Sequence, residues 1–514
     1  MRQIFRNFSM NSTSRRDPSY FKYTSGRWFD NEASYQQQRT AKFDIDALRA
    51  AAVSSVSGAK NVVRMTKLHE GAHNKAFSIL LDNQTELVAR IPTLAVPPQL
   101  TIASEVATMK YARERLDIPV PQVLSWASDR SSTAVGAEFI IMEKAPGIEV
   151  YKVWHTLSTD LKLRLVQAVA DIERAALVSP LPSYGSIFFR DDIKPGVSSV
   201  PIDDTYAIGP CMDHSFWNGE RATMRISRGP WSTPEQFLSA VYDREYQWIS
   251  KYASSRPLDE FRHEPDITRE PSAHLTVLDM FKALIPYIIP SSPKELTQST
   301  LWHHDLHGGN IFISESELAE GRISISSVVD WQGTTAIPLY MQARVPKFFH
   351  YHSPMDLPAG LESPIKPVKT KEMTEQEYEA AWDDWDAQQR TLLFAELVEA
   401  ASTIWGRRFH MLRDRIAALR HNWSYVSSAP FPIPVTNKDE RSWIAERKVW
   451  EARRDEMKEL CRQIGVDTNG WCPVEDFDVI LQRYSIIKDI WVEAGYAEED
   501  WPFSGPNAAD FNKP

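Results

Sequence analysis

The chain has 514 residues, 43% hydrophobic and 25% charged, with a net charge of −10, so it can bury a large core and has room for more than one domain. Its acidic balance, with a pI near 5.8, argues against nucleic acid or an anionic membrane surface as the main partner. No apolar run is long enough to span a bilayer, and three scattered cysteines, Cys211, Cys461 and Cys472, make no disulfide framework and suit a reducing compartment.

Residues 1–40 are polar and rich in Gln and Ser, and read as an extension. Arg2, Arg6, Arg15 and Arg16 precede the first acid, Asp17, with Ser9, Ser12, Thr13 and Ser14 among them. This is the composition of a short mitochondrial transit peptide, and equally of a weakly basic tail. The expected location is mitochondrial or, for a plain tail, cytoplasmic.

From Phe43 the apolar pattern begins. Residues 62–68, 76–81 and 86–91 read as short strands, separated by the turn signals of residues 70–74 and 82–84. Alternation puts Leu87, Ala89 and Ile91 on one face and Arg90 with Val88 on the other. Ile102, Val106, Met109 and Leu116 mark a helix ended by Pro119 and Pro121, with Glu105 near its start. Residues 138–142 form a buried strand leading into Glu143-Lys144-Ala145. The order strand, loop, strand, strand, helix, strand describes a small nucleotide-binding lobe over residues 43–145.

Residues 146–514 read as a mainly helical lobe, with helical patterns at 158–178 and 233–253 and a Pro/Gly/Asp-rich loop region between them. Near residue 300 strand character returns. Residues 311–313 and 323–329 flank a hairpin-like turn, so Asn310 and Asp330 should meet at one end of an antiparallel pair. Residues 345–370 are Pro-rich and expected to be irregular. Residues 371–514 form a helical, Trp-rich C-terminal region, whose Trp382, Trp385, Trp405 and Trp423 read as core. The nearby Asp383, Asp384 and Asp386 fit either a solvated helix face or recognition of a cationic substrate.

The densest chemistry lies at His303-His304-Asp305-Leu306-His307-Gly308-Gly309-Asn310, twenty residues before Asp330. It reads H-x-D-x-x-x-x-N with a downstream Asp on a strand, the catalytic-loop and metal pair of kinase-type phosphoryl transfer. An Asp at 305 can orient and accept a hydroxyl proton, while Asn310 and Asp330 offer hard oxygens to Mg2+. His303 reads as a buried brace. A metal-hydrolase cluster of His303, His304 and His307 with Asp305 is the competing reading, though the spacing is not H-E-x-x-H. Arg225 and Arg228 fit either anion binding or loop bracing, and His73 and Lys75 read as surface turn residues.

With these residues in hand, the chain resembles the aminoglycoside phosphotransferase family and, within it, the group labelled altered inheritance of mitochondria protein 9. Residues 21–28, 67–77, 89–92, 104–109, 136–145, 228–231, 301–312 and 328–344 carry the likeness. The resemblance implies an α+β, bilobal protein-kinase-like fold and transfer of the ATP γ-phosphate to a hydroxyl of a small molecule. By the same resemblance Asp305 is the catalytic residue, and Asn310 and Asp330 hold Mg2+. Arg90 stands where kinases place the phosphate-contacting Lys, with Glu105 as its helix partner. Gly71 to Lys75, Asn74 included, would cover the phosphates, Glu143 to Ala145 would offer backbone to adenine, and His307 would face the transferred phosphoryl group. Four positions depart from the pattern. The phosphate loop has one glycine, Arg90 replaces Lys, His304 stands where the family usually has Gly, and Trp331-Gln332 follows Asp330. The glycine-poor loop and Arg90 keep open a nucleotide-binding scaffold without catalysis.

Overall fold

The computed structural model describes residues 18–68, 70–71, 73–93, 100–253, 270–344, 346, 366–371, 373–402, 404–498, 501–503 and 505. The transit-peptide reading, and most of the expected irregular segment at 345–370, lie outside the described residues. Two compact units emerge. One comprises Met1–Ile102, Gln122–Lys144 and Lys458–Pro514, and the other Ala103–Pro121 and Ala145–Met457.

The first unit is built on a five-stranded antiparallel sheet. Its strands are β2 (Val62–Lys67), β3 (Asn74–Leu81), β4 (Glu86–Pro92), β5 (Val123–Ala127) and β6 (Phe139–Glu143), in the order β2-β3-β4-β6-β5. Alternation works as expected in β4, where Leu87, Ala89 and Ile91 are fully buried and Arg90 takes the opposite face. These residues join Phe77, Ile79, Leu81, Phe139 and Ile141 in one core with Leu48 and Ala52 of α2 (Ile45–Ser54). The Asp44 side chain caps α2 by accepting from Ala47 N at 2.8 Å, which satisfies an otherwise orphaned helix N–H.

The same unit holds a second cluster, contributed by residues near both ends of the chain. Strand β1 (Gly26–Trp28) pairs antiparallel with β15 (Trp471–Pro473). Phe29 is fully buried against Phe477 and Tyr484, at ring distances of 5.3 and 5.1 Å. Arg27 bonds Glu32, in α1 (Glu32–Gln38), and lies 4.2 Å over the Phe477 ring.

Helix α3 (Leu100–Arg115) passes from the first unit into the second. There β7 (Ile148–Glu149) and α4 (Val150–Val153) lead into α5 (Thr159–Leu177). The stretch expected to be loop holds a three-stranded antiparallel sheet of β8 (Ser186–Phe189), β9 (Val200–Pro201) and β10 (Tyr206–Gly209), in the order β8-β10-β9. Strands of two to four residues, joined by Pro-, Gly- and Asp-rich turns, leave too short a pattern for alternation to be read. Helices α6 (Pro234–Tyr252) and α7 (Pro271–Leu284) follow, and Phe237, Leu238, Val241, Val277, Leu278 and Phe281 of these helices lie in the main helical core.

Strand β11 (Ser299–Trp302) runs into the loop at 303–310 and then β12 (Ile311–Ile313). The turn after β12 contains a short helix, α8 (Glu315–Ala319), before β13 (Ile325–Val328). β12 lies between β13 and β7, and β11 pairs antiparallel with β14 (Thr335–Pro338). After α9 (Leu339–Gln342) come α10 (Glu375–Ser402), α11 (Phe409–His421) and α12 (Asn437–Ile464). α13 (Phe477–Glu493) closes the series in the first unit. Among the described residues no helix is long and apolar enough to cross a membrane, and the three cysteines are free and buried.

Candidate active site

The β12–β13 hairpin brings Asn310 and Asp330 to one end. Ile311 faces Val328 across the ladder, and Val329 N donates to Asn310 O at 3.0 Å. Asn310 is buried. Its Nδ2 donates to Asp305 O at 2.9 Å, so the remaining side-chain atom, Oδ1, is a hard oxygen of the kind Mg2+ takes. Asp330 follows the strand with φ of 66°. That left-handed backbone is uncommon for a residue with a Cβ, and such conformations cluster at functional sites.

Asp305 is half exposed at the loop tip. His307 Nδ1 accepts from Gly309 N at 2.9 Å, which leaves the imidazole proton on Nε2. That atom lies 3.7 Å from Asp305 Oδ2. The loop is held down where Gly308 O accepts from Tyr151 N at 2.9 Å. His303 is the expected brace. Its Nε2 bonds Val329 O at 3.0 Å, its ring meets Trp331 edge-on at 4.8 Å, and burial pushes its pKa down to about 4. The histidines therefore do not converge on a shared ion. Among the described residues no group of three or more His, Cys, Asp or Glu is arranged to hold a metal.

Asp305, His303, His304 and His307 border a cavity of about 670 Å³ within the second unit. This lies in the size range of small-molecule sites, roughly 300–1,000 Å³. Arg244, Arg344, Glu399 and Arg408 also line it, and none of them stood out in the sequence. Arg244 carried a usable signal, because it interrupts the apolar face formed by Phe237, Val241 and Trp248 of α6 and is itself fully buried. Glu173 also borders the cavity, and burial pushes its carboxyl up to about 7. Asp383 and Asp384 are exposed on α10 and do not line the cavity. Arg228 braces a loop, with Nη1 on Met224 O and Nε on Phe216 O, both at 3.3 Å; Arg225 is exposed.

The other nominated residues are spread over both units. Arg90 lies on the central strand β4, opposite Ala76 and Ile140. Gly71 is exposed, and Asn74 opens β3. Glu143 ends β6, and its carboxylate accepts from Gln122 N at 3.1 Å. Glu105, buried on α3, and Ala145 belong to the second unit.

Lys75 corrects its sequence reading. It is fully buried rather than a surface turn residue, and its Nζ bonds Glu70 at 2.5 Å and Lys22 O at 2.8 Å. Glu70 also takes Lys67 at 2.8 Å and Thr24 N at 2.7 Å. Burial raises the Glu70 pKa, but these donors outweigh it and hold the carboxyl below its ordinary value. The alternation of β3 already put residue 75 on the inward face with Phe77; only its charge argued otherwise.

A model of the phosphotransferase enzyme family matches residues 64–341. The chain belongs to that family, and its β-rich and mainly helical units agree with the α+β class expected. A subtelomeric hrmA-associated cluster protein of Aspergillus fumigatus is 28% identical, over 85% of this chain and 96% of its own length. An altered inheritance of mitochondria protein 9, mitochondrial, of Candida albicans is 26% identical, over 70% of this chain and 65% of its own length. Among solved structures, an ethanolamine kinase of Plasmodium vivax is similar at 10% identity, over 77% of this chain and 85% of its own, with a TM-score of 0.36.

Proposed function

We propose that the chain transfers the γ-phosphate of ATP to a hydroxyl of a small molecule, with Mg2+. The observation that carries this reading is the hairpin that brings Asn310 and Asp330 together while Asp305 borders a ligand-sized cavity. An acceptor hydroxyl in that cavity would donate its proton to the Asp305 carboxylate. Its oxygen would then form a bond to the γ-phosphorus as the bond to the β,γ-bridging oxygen breaks, releasing ADP. Mg2+, held by Asn310 Oδ1 and the Asp330 carboxylate, would supply charge neutralisation on the phosphates. Arg90, partnered by Glu105, would clamp phosphate, and a guanidinium can do so through two parallel bonds. Gly71 and Asn74 would approach the phosphates with backbone and amide, and Glu143 to Ala145 would meet adenine. His307 would face the moving phosphoryl group with its Nε2–H as a donor. The names of the mitochondrial relatives support a mitochondrial location.

Asp305 supplies the test. Asp305→Asn should lower kcat by about 10²–10⁴-fold, the usual worth of a positioned base. The thermal stabilisation by Mg–ATP should persist, since a ligand at a hundredfold its Kd adds about 2.7 kcal/mol. Absence of any Mg2+-dependent shift with ATP in the parent protein would sink the reading and favour a scaffold.

A further inference from the structure

Residues 19–25 lead into β1 as a strap that is bonded to the proposed phosphate loop within the first unit. That loop joins β2 to β3, and Leu68 N donates to Ala76 O at 2.8 Å to close it. Glu70, buried on the loop, is the junction. Its Oε2 accepts from Thr24 N at 2.7 Å and from Thr24 Oγ1 at 3.0 Å, and its backbone N donates to Ser25 Oγ at 3.3 Å. Lys67 Nζ adds bonds to Ser19 O at 2.6 Å, Lys22 O at 2.8 Å and Thr24 Oγ1 at 3.0 Å. The strap is itself fixed by residues near the other end of the chain, since Val474 N donates to Ser25 O at 3.3 Å and β15 pairs with β1. The loop is also tied to the end of β4, where Thr93 N donates to His73 O at 2.9 Å. Gly71 therefore lies, in sequence, between two anchored residues, Glu70 and His73.

A glycine-rich loop is mobile and loses conformational freedom when it closes on a ligand. A loop fixed beforehand avoids that cost, because ordering a segment on binding subtracts from affinity. We propose that Glu70, Lys67 and Thr24 are positioning residues that hold the phosphate loop to the strap, so that ATP meets a loop already in place. The bonds of the strap then stand in for the flexibility that further glycines would give. This deepens the phosphotransferase reading and rests on it, through the placement of Gly71 and Asn74 at the phosphates.

Titration calorimetry of the full chain, with Mg2+ and a non-hydrolysable ATP analogue and in parallel with adenosine, tests the assignment. Lys67→Met removes the tether while Glu70 keeps its bond to Lys75, and Thr24→Val removes one hydroxyl from an exposed residue. Each variant should bind the ATP analogue at least about fivefold more weakly, in line with the loss of a hydrogen bond in a charged network. Adenosine, which has no phosphates to meet the loop, should bind as in the parent. Amide hydrogen exchange of residues 68–76 should be slow in the nucleotide-free parent and faster in Lys67→Met. Equal losses for both ligands would mark the strap as merely structural and overturn the proposal. An ATP-analogue affinity unchanged by Lys67→Met, or fast exchange of the loop in the parent, overturns it too, and each of these results leaves the phosphotransferase reading standing. A parent that binds no ATP analogue overturns both.

Discussion

Two glycines of the candidate site differ in why they are glycines. A Cβ at Gly308 would lie 3.1 Å from Tyr151 N and 3.3 Å from Tyr151 Cα, so backbone blocks it. Gly308→Ala should push the loop from α4 and lower kcat through Asp305, at a stability cost of about 1–3 kcal/mol as for other overpacked sites. Steady-state kinetics beside urea unfolding will check this, and an unchanged kcat would refute it. At Gly71 a Cβ meets nothing within 4 Å. Gly71→Ala should therefore leave the unfolding midpoint where it is and raise the Kd for ATP, if phosphate packs against that backbone. An unaltered Kd would remove Gly71 from the site. At this scale the meeting of Asn310 and Asp330 at one hairpin end was legible, because their spacing is local to one loop and one strand pair. The cavity arginines were not. Their partners, Glu399 for Arg344 and Arg408, and Glu245 with Ser402 O for Arg244, come from distant helices or from a bond that local pattern does not encode.

At the level of elements, β2, β3, β4, β6 and α3 sat within a few residues of where alternation and helical spacing put them, since each carries several turns of pattern. β5 was missed: none of its residues is fully buried, so it has no apolar alternation to read. The connection between β2 and β3 offers a sharper case. Glu70 ties both strands to residues 22–24 through Lys67, Lys75 and Thr24. Removing that carboxylate leaves an uncompensated buried lysine, which typically costs about 3–5 kcal/mol. Glu70→Gln should thus lower the urea midpoint sharply, whereas the double change Glu70→Leu with Lys75→Met should recover most of the loss. A single variant as stable as the parent would show that the pair is dispensable.

At the scale of the molecule, three buried histidines among the described residues weaken folding in acid, and Glu173 works against them. Burial lowers His274, His303 and His410 each to about 4, while an unfolded histidine titrates near 6.5. Between those values the unfolded chain binds protons that the folded chain refuses, so stability falls as pH drops through that window. The slope is about 1.4 kcal/mol per pH unit for each histidine in full effect. Glu173, raised by burial to about 7, keeps a proton in the folded chain that the unfolded chain releases above about 4.3. It offsets one histidine in this window, and Tm should still decline from pH 6.5 towards 4 by about two protons' worth. His410→Phe, whose ring would sit among Phe409 and Trp450, should make the decline shallower by one proton's worth; an identical slope would exclude His410.

The pairing of β1 with β15 is the largest feature that local pattern could not foretell, because the two strands lie near opposite ends of the sequence. It has a consequence for biosynthesis. As the chain leaves the ribosome, Phe29 emerges early, yet the rings of Phe477 and Tyr484 that pack on it, and the strand that pairs with β1, are translated only after residue 470. Through that interval the nascent chain carries an uncovered aromatic seam for chaperones to occupy. A premature stop codon just before β15 would leave Asp305 and its cavity intact in the polypeptide, yet it would release a product with that seam permanently exposed to proteolysis.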